Sequence, residues 1–270
     1  MADEYAMPKG ELMRGKRGLV MGVANHNSIA WGIAAQIAAQ GGEVGLAYME
    51  SNEKRVRPLG ESIGATLYTP FDASSDESME ACFNVVEDQW GGLDFLVHAI
   101  AYADRSQIKG SFVENATRAT FAQALDISAY SFVDAARRAS KLMTGGGSMI
   151  TLTYLGSERA IPNYNTMGVA KAALEAATRY IARDLGPKGI RVNALSAGAM
   201  RTLSLAGISG GRGMLAQGRA LSALKEDTSM EGVAGCALWL LSDLGRSTTG
   251  EVVHVDAGFH MMGLPSGEDD

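Results

Sequence analysis

RGLVMGVANHNSIAWGIAAQIAAQG, residues 17–41, decides how the rest of the chain is read. Its first part, RGLVMGV (17–23), is an apolar run of strand length, and SIAWGIAAQIAAQG (28–41) reads as a helix ended by glycine. Between them lies a short turn carrying Gly22, with Ser28 and Gly32 at the helix start. In an α/β sheet such a turn is where a phosphate meets unsatisfied N–H groups and the positive helix end. Glycine lets the backbone approach, and Ser28 can cap the helix and donate to a phosphate. The pattern is not G-x-G-x-x-G, because Ala24 stands where the second glycine would be.

Working outward, the same alternation repeats. Strands are read at EVGLAY (43–48), TLYTPFD (66–72), LDFLVHAIA (93–101), GSMITLTYL (147–155), IRVNALSAG (190–198) and GEVVHVDAG (250–258). Helical patterns separate them: NEKRVRPLGESIG (52–64, interrupted by Pro58), DESMEACFNVVEDQWGG (76–92) and 117–143, in two pieces near Ser128. They continue with NYNTMGVAKAALEAATRYIARDLGPKG (163–189), stopped by Gly-Pro, and MEGVAGCALWLLSD (230–243). Near-continuous apolar strands alternating with helices predict a parallel sheet covered on both faces. The expected fold is α/β: one Rossmann-like, doubly wound domain of about seven strands spanning residues 1–270. Residues 1–11 and 263–270 are expected to be flexible tails.

Composition agrees. Apolar residues make up 46% and charged residues 20%, enough for a sizeable core, and Gly 33 against Pro 6 suits many tight turns. A net charge of -6 without a basic stripe argues against nucleic acid as a partner. No secretory or membrane-spanning segment is read, so the expected location is the cytoplasm without membrane insertion. Cys82 and Cys236 read as separate thiols, and His26, His98, His254 and His260 lack metal-ligand spacing, so no metal is expected.

The second strand ends at Met49 and Glu50. A carboxylate near this tip suits NADH, whereas NADPH calls for a cation; Lys54 and Arg55 lie just beyond. A tyrosine beside a lysine can serve a reduced carbonyl or enolate. Tyr-x6-Lys occurs twice, at Tyr164/Lys171 and Tyr102/Lys109, and Tyr-x3-Lys occurs at Tyr5/Lys9. Context selects Tyr164/Lys171, since seven helical residues bring side chains back to within about 20°. Tyr102 enters the irregular stretch YADRSQIKG and Tyr5 lies in the tail. A nearby ammonium would favour the phenolate of Tyr164.

Four segments carry a resemblance: GVANHNSIAWGIA, TLTYLGSERAIPNYNTMGVAKAALEA, GIRVNALSAGAMRTL and SDLGRSTTGEVVHVDAGF. Over roughly residues 12–262 the chain resembles the bacterial enoyl-[acyl-carrier-protein] reductases, a divergent branch of the short-chain dehydrogenase/reductases. Ketone-reducing members of that superfamily use Tyr-x3-Lys, and here the lysine position is Gly168. The enoyl reductases place the lysine at x6 and another tyrosine ten residues before the first, as Tyr154, Tyr164 and Lys171 are placed.

The resemblance implies hydride transfer from NADH, rather than NADPH, to C3 of a trans-2-enoyl thioester on acyl carrier protein. Tyr164 would stabilise the enolate, Lys171 would hold the nicotinamide ribose, and Tyr154 would line the acyl pocket. It assigns cofactor contacts to Gly22, Ala24, Ser28 and Ile29, to Met49, Asp72 and Ala73 towards the adenosine, and to Ile100 and Met200 at the nicotinamide end. Ala101, Tyr102, Leu203 and Ala206 join the tyrosines as substrate contacts, with Ile208 and Met214 as further candidates for the acyl wall. Residues 199–215, with four glycines between 207 and 213, resemble the family's substrate-covering segment and are expected to be a mobile loop. Arg212, Arg219 and Lys225 are candidates for carrier-protein docking, and a homotetramer is implied. Departures from the pattern are Ala99 and Ala101 where many relatives carry Ser and Gly, Met49 in place of a polar residue, and Ala73 in place of Val. A ketone or alcohol oxidoreductase of the same superfamily and a non-catalytic nucleotide-binding scaffold are the competing readings.

Overall fold

In the computed structural model, residues 7–208 and 210–263 are described, without the side chains of Ser204 and Arg212. Tyr5 and the ends of both expected tails therefore lie outside the described residues.

Seven parallel strands form one sheet in the order β3-β2-β1-β4-β5-β6-β7. They are β1 (Arg17–Met21), β2 (Glu43–Tyr48), β3 (Leu67–Pro70), β4 (Phe95–His98), β5 (Gly147–Thr153), β6 (Ile190–Ala197) and β7 (Val252–Val255). The helices are α1 (Ile29–Ala39), α2 (Glu53–Ser62), α3 (Asp76–Trp90), α4 (Phe112–Asn115), α5 (Arg118–Leu125), α6 (Ser131–Leu142), α7 (Thr166–Leu185), α8 (Leu203–Gly207), α9 (Gly211–Leu221) and α10 (Met230–Leu241). Side chains of α1, α2 and α10 pack on one face of the sheet, and those of α3, α6 and α7 on the other. The five strands β1, β2, β4, β5 and β6 carry long buried apolar runs because helices cover both faces. Both sheet edges differ: β3 ends at Pro70, tolerable in an edge strand, and β7 is only half-buried along its length.

Three local expectations are corrected, over Pro58, the start of α7 and residues 199–215. Pro58 does not interrupt α2, an exposed short helix that gives up one hydrogen bond at that residue. The 117–143 pattern is in two pieces that part near Ser128, as expected: α5 and α6, joined by a π-helical turn, Asp126–Tyr130. Helix α7 begins at Thr166, so Tyr164 precedes it in a turn where Asn163 and Asn165 have φ of 65° and 45°. The 199–215 stretch is not a loop throughout: α8 and the first turns of α9 occupy much of it. At the other end, Pro8 O accepts hydrogen bonds from Gln36 Nε2 (3.0 Å) and Gln40 Nε2 (2.8 Å), tying residues 7–11 to α1.

The order of strands reverses between β1 and β4, so the loops leaving their carboxyl ends diverge and open a crevice. That crevice is where the candidate residues converge.

Candidate active site

The turn after β1 is built for close approach. Gly22 has φ of 99°, and a Cβ there would meet Ala99 O at 2.2 Å, so the β1 and β4 loops touch backbone to backbone. Ser28 occupies the N-cap position of α1, but its hydroxyl does not cap the helix. It turns back, accepting hydrogen bonds from Ala24 N (3.1 Å) and Asn25 N (3.0 Å), and so fixes the loop instead. Ser28 O takes the N–H groups of Trp31 and Gly32. Those of Ile29 and Ala30 remain at the positive helix end, as a pyrophosphate requires.

One cleft of about 210 Å³ is lined by Gly22, Ala24, Ser28, Ile29, Ile100, Ala101, Tyr154, Tyr164, Lys171, Met200 and Leu203, among others. These eleven positions singled out from sequence, and with them Ile208 and Met214, thus share one wall. Tyr102 lies in a neighbouring cavity of about 490 Å³, which Ala101, Tyr164, Met167 and Leu203 also line. Ala206 does not reach either; it faces a third space of about 1110 Å³ beside Asn25, Arg201 and Arg219. Leu203 and Ile208, at the two ends of α8, belong to the walls of all three, so this short helix is the partition between them.

Met49, Asp72 and Ala73 stand apart from the cleft, on the β2 and β3 side. Met49 is 57% exposed at the tip of β2, and Ala73 packs on the core from the edge. Asp72 is already engaged: its Oδ1 accepts from Ser74 N (2.9 Å) and Ser74 Oγ (2.7 Å), which holds its carboxyl below the usual range. Beyond Met49, Arg57 pairs with Glu53 and lies over the Tyr68 ring, while Lys54 and Arg55 are exposed. Of the candidate docking cations, Arg219 is paired with Asp227 and Lys225 donates to Ala220 O (2.9 Å); the side chain of Arg212 lies outside the described residues.

Tyr164 and Lys171 are both buried, at 7% and 5% exposure. Lys171 Nζ donates to Leu152 O at 2.6 Å, which anchors the ammonium on β5 at the cleft floor. Burial pushes Lys171 down to about 8, opposed by the carboxylate of Glu175 one turn further along α7. The Tyr154 and Tyr164 rings meet edge to face, with centroids 5.0 Å apart. The expectation that the ammonium draws Tyr164 towards phenolate is corrected. Burial raises its pKa, and Tyr154 and Glu175 raise it further, so Tyr164 is a neutral phenol and a hydrogen-bond donor. Burial and then Asp256 raise Tyr154 as well.

Sequence reasoning missed the polar support behind this wall. His98 is fully buried, bonded to Thr151 Oγ1 (3.0 Å) and Ser131 Oγ (2.8 Å), and burial pushes it down to about 3. Ser128, in the π-helical turn, binds both Tyr102 N (2.9 Å) and Tyr102 O (3.0 Å), pinning the loop that carries Ile100 and Ala101. The one available signal was a serine inside a break in helical periodicity.

Known proteins are similar to this chain along nearly its whole length. Residues 22–260 match the family model described as Enoyl-(Acyl carrier protein) reductase. An enoyl-[acyl-carrier-protein] reductase [NADH] of Rhizobium meliloti is 49% identical over 256 residues, covering 94% of this chain and 95% of its own. One from Rickettsia bellii is 46% identical over 253 residues, covering 93% and 96%. Among solved structures, the Anaplasma phagocytophilum reductase in complex with NAD superposes with a TM-score of 0.93 at 50% identity, covering 97% of this chain and all of that one. The Bacillus cereus reductase, solved with NADP+ and an indole naphthyridinone, gives 0.91 at 46% identity, covering 94% of this chain and all of that one. With the two-tyrosine cleft lying inside the matched span, and relatives 46–50% identical along more than nine-tenths of its length, the chain belongs to the enoyl-acyl-carrier-protein reductase family.

Proposed function

We propose that this cleft reduces the C2–C3 double bond of a trans-2-enoyl thioester carried on acyl carrier protein, with Tyr164 stabilising the enolate. The cofactor is NADH; when bound it would supply the hydride that goes to C3, and protonation of the resulting enolate at C2 completes the reduction. The glycine turn after β1 and the free N–H groups of Ile29 and Ala30 suit its pyrophosphate, and the lack of a cation at Met49 or Glu50 suits an unphosphorylated ribose.

The single observation that carries this reading is that Tyr164 and Lys171 are buried together in the wall that also holds the β1 turn and Ile100. As the double bond is lost, negative charge grows on the thioester oxygen. A neutral Tyr164 phenol donates to that oxygen more strongly in the transition state than in the ground state, which is what accelerates a reaction. With one N–H on Leu152 O, the Lys171 ammonium keeps two donors for ribose hydroxyls and holds the local potential positive. Tyr154, edge-on to Tyr164, fixes the phenol's orientation and lines the acyl side. The cavity floored by Ala101, Met167 and Leu203 suits the apolar chain.

Tyr164→Phe tests the assignment: kcat with crotonyl-CoA should fall about 100-fold or more while the NADH dissociation constant stays within about twofold. Near-normal turnover would remove Tyr164 from this role. The unpaired β7 edge, with Trp239 exposed on α10 beside it, supports assembly into a homotetramer, and light scattering on the eluting protein reads the mass directly. Among the described residues, no helix is long and apolar enough to cross a membrane.

A further inference from the structure

Glu175 is a buried carboxylate, 7% exposed, to which the reaction above gives no part. A charge taken out of water is costly unless something nearby repays it. On α7, Glu175 follows Lys171 by four residues, so the two side chains share a face. They bond neighbouring residues of β5 rather than each other: Lys171 Nζ donates to Leu152 O at 2.6 Å, and Thr153 Oγ1 donates to Glu175 Oε1 at 2.5 Å. The helix and the strand are thus buttoned together at two successive positions, one cationic and one anionic, at the cleft floor.

We infer that Glu175 is a positioning residue: tied to Thr153, its carboxylate keeps the buried Lys171 in the ammonium form beside Tyr164. This rests on the role given above to Lys171.

The surroundings leave Glu175 as the group suited to the task. The titratable groups around Lys171 are Tyr164 in the turn before α7, Glu175 on α7, Tyr154 after β5 and His98 on β4. Both tyrosines are neutral, and so is His98, so none of these repays the cost of burying an ammonium. Burial alone would drive Lys171 to shed its proton, and the Glu175 carboxylate is what opposes it. The Thr153 hydroxyl gives that carboxylate a fixed seat without cancelling its charge. A Lys171 that lost its proton would withdraw positive potential from the developing enolate, and with one N–H already on Leu152 O it would keep a single donor for ribose.

The test reads Lys171 directly. With ε-¹³C-labelled lysine the chain gives eight lysine signals, and the one absent from Lys171→Met is followed against pH in the cofactor-free protein. In E175Q the Lys171 midpoint should fall about tenfold in proton affinity, and the alkaline limb of kcat/KM should move with it by the same amount. E175D, which keeps the charge, should retain the wild-type midpoint even where kcat drops. T153V, which removes only the hydroxyl seat, should shift the midpoint in the same direction by less, and it decides the matter should E175Q not fold. An unmoved midpoint in E175Q or T153V, an equal shift in E175D, or a loss of activity uniform across pH would overturn the proposal. Because the midpoint is read without substrate, a failed enoyl-reductase assay leaves it standing or falling by itself.

Discussion

Gly156→Ala isolates the packing that aims the Tyr164 phenol, the group proposed to stabilise the enolate. Gly156 sits in the short 3-10 turn after β5, and its backbone conformation is one that any residue adopts, so the methyl group alone is the perturbation. A Cβ at 156 would meet Tyr164 Cδ1 at 2.3 Å and Cε1 at 2.7 Å, where ordinary contact begins near 3.4 Å. The shortfall at Cδ1 is roughly 1.1 Å, too large to absorb without moving a ring or a backbone. The ring has no easy retreat, since Ile108, Met167 and Ala170 pack behind it and Tyr154 meets it edge-on. Displacing a reacting group by about 1 Å costs on the order of 100-fold in rate, or about 2.7 kcal/mol of barrier. The strain should also cost about 1–3 kcal/mol of folding stability. Following NADH oxidation with crotonyl-CoA, kcat should drop about 100-fold, while NADH fluorescence titration should give a dissociation constant within about threefold of wild type. The cofactor turn, at the end of β1, is built without Gly156. A kcat within about threefold of wild type in a folded protein would refute the claim that Gly156 sets the phenol's position.

Ser28→Ala should weaken NADH binding about tenfold and lower the melting temperature, because two loop amides lose their shared acceptor; calorimetry reads both. His98 links folding to acid: its ordinary value of 6.5 falls to about 3 in the folded chain, so between those pH values the unfolded chain binds a proton that the folded one refuses. Stability should therefore fall as pH drops through that window, by up to about 1.4 kcal/mol per pH unit from this group, and urea titrations of His98→Gln should show a shallower slope. Met49→Arg should raise kcat/KM with NADPH about tenfold by placing a guanidinium where the extra phosphate comes, and steady-state kinetics with both cofactors check it.

The sheet was legible because parallel strands covered on both faces must be apolar throughout, and β1, β2, β5 and β6 announce themselves by that alone. What the residues concealed is where helices begin. The run from Asn163 has helical composition, yet Asn163 and Asn165 both take positive φ, outside the right-handed helical region, and α7 waits for Thr166. An asparagine on each side of Tyr164 was the available signal. In 199–215 the opposite happened: Gly207, Gly210, Gly211 and Gly213 hide helical periodicity, although Thr202 caps α8 through Leu205 N and Gly210 supplies the left-handed entry to α9. The cavity that Ala206 faces was hidden for the same reason, since only the formed helix decides which of its sides faces which space. Residues set by long-range contact, such as Glu175 on Thr153 and Ser128 on Tyr102, had no local pattern to betray them.

The late start of α7 also explains why the lysine stands at x6. Tyr164 lies outside the helix, so its spacing to any helical residue is set by the turn and not by helical phase alone. The first helical position that could turn towards the tyrosine is 168, and a Cβ there would come within 2.6 Å of Gly156 O and 3.6 Å of Tyr164 Cδ1. No lysine stem fits in that gap; glycine does. Two glycines, at 156 and 168, let the 3-10 turn after β5 close directly on the helix, with the phenol ring packed against Gly156. One turn further along, residue 171 clears this contact and meets Leu152 O instead. A ketone-reducing site with its lysine at 168 would require the turn and helix to separate, releasing the ring that the proposed enolate chemistry needs held. Moving the lysine to 171 and emptying 168 are thus one structural change, and they select against the competing ketone-reductase reading on geometry rather than on motif.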